Sequence, residues 1–464
     1  MKIALQILFI FFATINMVLA YVALFKLHQP TTVPFWAMKV MTSGLAPFLF
    51  LLGLLIAISG QLLSSRLVIT MGSCSALLFL IHIFLVSSKP NKSTDFESAF
   101  GPRWEKNIPE EMKDHFLSQR YVIWLPKPEE PIFTQDISFY TIPETNRNIL
   151  CDIWQPPKNR KRTGVAFIYL HGSAWTSLDK DFGTRPFFKH LANQGHVVMD
   201  VAYRLFSEAG MMDMVYDAKH AIAWMKQHAD VYGIDPDRIV IGGGSAGAHI
   251  ALLAAYTDHD ERFIPPDLKS ADLSIHGVVS LYGQSDLVST YFHTKQDLTK
   301  HSALGQQKNG KRRGMPSWMK KSMGKDFHRL GLDKNVEPGM LSPMFGGSPE
   351  ENPEPYLLFS PITHINSVCP STLILHGEQD ILAPVEAIRR LYTQLKKSGV
   401  PVVMHLIPQT DHAFDLIFPK FSPSAQNAIY DVERFLAVMA KNNIKQVKVF
   451  RLEQPEYVSF KPAH

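Results

Sequence analysis

The chain has 464 residues, 46% of them hydrophobic, and a formal net charge of +5. That length accommodates one large domain with additions. Its three cysteines, of which Cys74 falls inside an apolar run, exclude a secreted disulfide framework.

The apolar residues are concentrated at the start. Residues 3–25, 40–65 and 67–88 carry no Asp, Glu, Lys or Arg, and about 20 apolar residues suffice to cross roughly 30 Å of hydrocarbon. The first run exceeds the roughly 7–15 apolar residues of a secretory signal, and no small-residue cleavage site follows Phe25-Lys26. Three transmembrane helices are therefore expected, near 3–25, 40–59 and 67–88, the last two forming a hairpin. Lys2 and Arg66 then share one side of the membrane, and Lys26, Lys39, Lys89, Lys92, Arg103 and Lys106 share the other. Basic flanks favour the cytoplasm, so a multi-pass membrane protein with a cytoplasmic C-terminal part is expected.

Residues 89–130 are polar and rich in Pro and charge, and read as a linker with a short helix near 110–119. Beyond them strand-like and helix-like segments alternate. Residues 149–154, 165–170, 196–201, 238–242, 277–281, 371–375 and 402–407 are apolar runs of strand length, and 212–229 has helical spacing. Alternation of this kind implies a mostly parallel sheet covered by helices on both faces, here over 131–443, with a tail at 444–464.

Between two of these segments lies Gly243-Gly244-Ser245-Ala246-Gly247, which matches G-x-S-x-G. In that arrangement the serine occupies a sharp strand-to-helix turn, and its neighbours must be small where backbone passes closely. A serine hydroxyl is a weak nucleophile that needs a base, and the base needs an orienting group. Downstream, His376-Gly-Glu-Gln-Asp380 and Asp411-His412 each follow a predicted strand. The order Ser245, Asp380, His412 is the chain order of an α/β-hydrolase triad. Asp411 competes with Asp380 as orienter, and His376 and His249 compete with His412 as base. Upstream, His171-Gly172-Ser173-Ala174-Trp175 follows the strand at 165–170. Main-chain N–H groups of Ser173 and Ala174, with that of Ala246, are candidates for stabilising an oxyanion. His171, Gly172, Trp175, Gly243, Gly244 and Gly247 would shape the supporting loops.

These motifs, with Tyr203-Arg204, Tyr232-Gly-Ile-Asp-Pro-Asp-Arg238 and Ser360-Pro361, resemble the carboxylesterase branch of the α/β-hydrolase superfamily over about residues 137–440. The chain is similar to hormone-sensitive-lipase-like esterases, and also to kynurenine formamidases and prenylcysteine methylesterases. The resemblance implies an α/β-hydrolase fold and a serine hydrolase acting on carboxylic esters, with no metal or organic cofactor. An amidase, formamidase or peptidase would use the same triad, and a catalytically silent binding protein would lack turnover. One departure stands out: such families usually have His-Gly-Gly in the first loop, where this chain has Ser173.

Residues 290–340 hold eleven Lys/Arg and four Asp/Glu. Met315, Met319, Met323 and Phe327 recur every four residues among Lys320, Lys321, Lys325 and Arg329. This basic insertion reads either as a solvated segment with one helix packed on the core or as a cap whose amphipathic helix would touch anionic lipid. Nucleic acid is not an expected partner, because no aromatic-and-basic sheet pattern accompanies the charge.

Overall fold

The computed structural model describes residues 2–25, 33–206, 208–302 and 341–441. Four helices open the chain: α1 (Lys2–Leu24), α2 (Val33–Gly44), α3 (Ala46–Leu62) and α4 (Arg66–Val86). By length and composition α1 and α4 could each cross a membrane. The second expected span is not one straight helix. Phe35–Gly44 and Ala46–Leu62 meet at 77°. Pro47 accounts for the break: it has no N–H to give to Ser43, and its ring would collide with that carbonyl in a continuous helix. Polar bonds tie the helices, including Asn16 Nδ2–H to Ser75 Oγ at 3.0 Å and Ser43 Oγ to His82 Nε2 at 2.9 Å.

The sheet has eight strands: β1 (Ile132–Ile142), β2 (Arg147–Gln155), β3 (Ala166–Leu170), β4 (Val197–Val201), β5 (Ile239–Gly244), β6 (Gly277–Leu281), β7 (Ser371–Gly377) and β8 (Val402–Ile407). Their order is β1-β2-β4-β3-β5-β6-β7-β8. The first two strands run antiparallel, and the strands from β4 to β8 are parallel. Strands β3 to β7 are buried at every position. Helices cover both faces, as an apolar parallel sheet requires. The helices Met211–Gln227 and Ala246–Tyr256 pack on one face, and Arg185–Asn193 and Pro423–Met439 on the other. Strand β1 is absent from the sequence reading. It is an edge strand with irregular register and mixed burial, so its alternation is blurred.

Residues 89–130 are not a free linker. Phe96, Ile108, Met112, Leu117 and Leu125 are buried together with Val86 and the sheet residues Phe167, Val240 and Leu373. The helix expected near 110–119 is a single turn, Glu110–Lys113. Leu117 N–H, which would continue it, instead donates to Glu433 Oε1 at 3.0 Å. Arg120 then forms a paired contact with the Asp431 carboxylate at 2.8 and 2.7 Å. The helix Leu287–Ser302 begins the basic insertion. Residues 303–340, including the Met315 to Phe327 stripe, and the tail at 444–464 lie outside the described residues.

Candidate active site

Ser245 sits between β5 and the helix Ala246–Tyr256, with φ 53° and ψ −123°. Such a backbone is strained for a residue with a side chain. Its neighbours make it possible. A Cβ on Gly243 would lie 2.3 Å from Leu170 O, and one on Gly247 2.1 Å from the same oxygen. No larger residue fits either position without moving β3 away from β5.

His412 and Asp380 follow β8 and β7, and the parallel register brings both loops to the carboxyl end of β5. Ser245 Oγ lies 2.8 Å from His412 Nε2, and His412 Nδ1 lies 2.8 Å from Asp380 Oδ2. Because Nδ1–H donates to the carboxylate, Nε2 is the acceptor that faces the hydroxyl. Asp380 Oδ1 accepts the N–H groups of Leu382 and Ala383, both at 2.8 Å. Burial would raise the Asp380 pKa, but His412, His376 and the Ala383 N–H outweigh it and hold it below the ordinary value. A carboxylate so fixed can orient and stabilise an imidazolium.

The competing candidates have other partners. Asp411 Oδ1 accepts the N–H groups of Ile381, at 3.1 Å, and His412, at 2.7 Å. Its carboxylate shapes the loop, and burial, with Asp380 nearby, raises its pKa to about 6. His376 is 3.6 Å from Asp380 but gives its Nε2–H to Ala383 O at 3.0 Å. His249 gives its Nε2–H to Phe359 O at 2.7 Å and accepts Trp175 Nε1–H on Nδ1 at 3.2 Å. Burial lowers the His249 pKa to about 4, as expected of a neutral bracing ring.

The loop after β3 lies against the serine turn. A Cβ on Gly172 would come within 3.2 Å of Gly244 O and 3.4 Å of Ser245 Cβ. Ala174 and Trp175 have φ 46° and 61°. The N–H groups of Ser173, Ala174 and Ala246 meet no acceptor among the described residues. The departure at Ser173 has a local explanation. Its hydroxyl accepts Trp175 N–H at 2.8 Å and meets Tyr203 Oη at 2.6 Å, while Tyr203 donates to His171 O at 2.7 Å. The His171 ring stacks on Tyr203 at 4.5 Å, and burial lowers its pKa to about 4. The Ser173 side chain thus braces the loop.

Some contributors escaped the sequence reading. Tyr282, just after β6, packs its ring 4.6 Å from His412 and donates its hydroxyl to Asp415. Its place at a strand's carboxyl end was the available signal. Lys39 of α2 reaches Gln379, and Trp36 Nε1–H reaches His412 O at 3.2 Å. Trp36 and Lys39 fall between the first two apolar runs, and nothing there marked them as neighbours of the site.

The fold is that of an α/β-hydrolase. The BD-FAE family matches residues 151–322 and the prolyl oligopeptidase family residues 333–442. Curated proteins that the chain resembles include carboxylic ester hydrolases and esterases. The chain is 34% identical over 290 residues to the probable carboxylic ester hydrolase LipM of Mycobacterium tuberculosis, covering 62% of this chain and 57% of that one. It is 25% identical over 263 residues to a probable isoprenylcysteine alpha-carbonyl methylesterase of Oryza sativa, covering 55% and 53%. The chain thus spans little more than half the length of these curated relatives. Among solved structures, esterase 2 of Thermogutta terrifontis phosphonylated by cyclosarin matches with a TM-score of 0.47 and 22% identity, over 67% of this chain and 96% of that one.

Proposed function

We propose that the protein is a membrane-anchored serine hydrolase that cleaves carboxylic esters through an acyl-enzyme. The observation that carries this reading is the line from Ser245 Oγ through His412 to Asp380, with both links at 2.8 Å. Ser245 attacks the acyl carbon as His412 Nε2 takes its proton. His412 returns that proton to the leaving alcohol, and water repeats the sequence on the acyl-enzyme. Main-chain N–H groups of Ala174 and Ala246, with Ser173 beside them, receive the oxyanion.

In this reading α1, α3 and α4 cross the bilayer. Gln6 Nε2–H donates to Leu63 O at 3.0 Å, whereas Gln379 of the catalytic domain reaches Leu24 O at 3.5 Å. These contacts support a far end at the N-terminus and a near end beside the catalytic domain. The basic flanks favour a cytoplasmic catalytic domain.

The test is covalent labelling with a fluorophosphonate, alongside turnover of p-nitrophenyl esters and matched p-nitroanilides. Wild type should label and cleave esters, and Ser245→Ala should do neither. Labelling of Ser245→Ala would remove that serine from its role. Preference for the anilides would favour a peptidase, a reading to which the prolyl oligopeptidase match gives some weight.

A further inference from the structure

Beside the loop that carries His412, the catalytic domain exposes a run of large apolar side chains. Ile123 is 82% exposed, Trp124 57% and Phe418 38%. Phe421 joins them: its ring lies 5.2 Å from Phe418 and 5.7 Å from Trp124. The two segments are tied by Leu125 N–H to Lys420 O at 2.6 Å and by Val122 N–H to Gln426 Oε1 at 2.8 Å. A scattered exposed apolar residue needs no explanation, whereas a contiguous ridge does.

The ridge continues into the helical bundle. Phe421 meets Phe48 edge-on at 4.7 Å, and Phe48 lies in the first turn of α3. From there the outer face of α3 runs on through the exposed Leu51, Leu55 and Ile58. Lys127 and Lys420 are exposed beside the ridge. Aromatic rings with neighbouring lysines are the composition of a membrane–water boundary, where the rings sit at headgroup depth and the ammonium groups meet lipid phosphates. The bend between α2 and α3 fits the same level: α3 leaves along the bundle while α2 turns aside and holds the His412 loop through Trp36.

We propose that Ile123, Trp124, Phe418 and Phe421 lie in the headgroup–acyl boundary of the bilayer that α3 enters, and that the site draws its substrates, long-chain amphipathic esters, from that leaflet. This rests on the reading of the chain as a membrane-anchored esterase. It adds the docking surface and the substrate class.

Quenching by lipid reads the ridge without any turnover. The full chain is placed in phosphatidylcholine–phosphatidylglycerol vesicles whose acyl chains carry bromine. Trp124→Phe should lower the quenched share of tryptophan emission, whereas Trp224→Phe, on the helix Met211–Gln227, should not. In parallel, Ile123→Ser with Trp124→Ser should leave cleavage of soluble p-nitrophenyl acetate unchanged. Cleavage of a long-chain ester dissolved in the vesicles should fall about tenfold. An unchanged quenched share in Trp124→Phe, or an unchanged vesicle rate in the double variant, would overturn the proposal. So would Trp124 shielded from bromine together with a doubled mass in detergent, which would assign the ridge to a second copy. A chain that quenches as expected yet cleaves no ester would uphold the membrane ridge and sink the esterase reading.

Discussion

The indole N–H of Trp36 donates to the main-chain carbonyl of His412 across 3.2 Å, although 376 positions separate the two residues. The bond joins the N-terminal helices to the loop that presents the imidazole to Ser245. Nearby, Lys39 contacts Gln379, and Gly44 lies close enough to Ile417 O that a Cβ would approach within 3.3 Å. Helix α2 is therefore part of the surroundings of the site as well as part of the N-terminal helical bundle.

From this contact, Trp36→Phe should cost about 1 kcal/mol of stability, the usual net worth of one hydrogen bond. It should also lower kcat on a soluble ester severalfold with KM little changed, because the pocket remains while the His412 loop loosens. Thermal unfolding and steady-state kinetics of the full chain check both. A variant with wild-type kcat would reduce the contact to simple packing.

The two neighbouring carboxylates should separate cleanly. Asp380→Asn removes the acceptor of His412 Nδ1–H, so turnover should fall by about 10³–10⁴, by analogy with triad aspartates. Asp411→Asn keeps an oxygen for the N–H groups of Ile381 and His412, and should cost far less. Rates measured at one pH on one ester decide it, and the reverse ranking would exchange their roles.

Ser173→Ala removes the acceptor of Trp175 N–H and the partner of Tyr203 Oη. Trp175 N–H is then left buried and unsatisfied, a loss of about 1–3 kcal/mol. If the loop carries the oxyanion donors, kcat should also drop by about tenfold or more. Tyr203→Phe should move both quantities in the same direction. An unaltered kcat in Ser173→Ala would separate this loop from the chemistry.

The contact between Arg120 and Asp431 tests whether residues 89–130 are integral to the domain. Asp431 is fully buried and would be raised by burial, but Arg120 and His405 bring its pKa to about 2 from 3.8. A depressed carboxyl stabilises the fold above the unfolded value, so this contribution should be complete above about pH 3.8 and lost as pH falls towards 2. Arg120→Met leaves the carboxylate buried without its cation, at a cost of about 3–5 kcal/mol near neutrality. The acid-linked loss between pH 3.8 and 2 should shrink in the variant. Melting temperatures across that range give the comparison, and an identical acid profile would mean that Arg120 contributes little.

The sequence by itself determined the buried parallel part of the sheet and the residues around its serine turn. Apolar runs such as 165–170 and 277–281 could only be strands buried on both faces. The small residues around Ser245 answer a cross-strand approach, that of Leu170 O on β3 to within 2.3 Å of a Cβ on Gly243 and 2.1 Å of one on Gly247. The requirement is legible because it falls on five consecutive positions, Gly243 to Gly247, and so leaves a short pattern in the sequence whichever strand supplies the carbonyl. The tertiary structure decided what depends on partners far apart in the chain. Asp380 and Asp411 are both acidic residues in loops after strands, and only the packing of β7 against β8 turns one towards His412 Nδ1 and the other towards main-chain N–H groups. Residues 89–130 have the composition of a linker, yet Glu433 and Asp431, more than 300 positions away, capture Leu117 and Arg120. Trp36 reads as one more apolar residue near the start of the chain. Its bond to His412 exists because Pro47 breaks the second span and turns α2 aside, and no local pattern in the chain encodes where that turn will carry it.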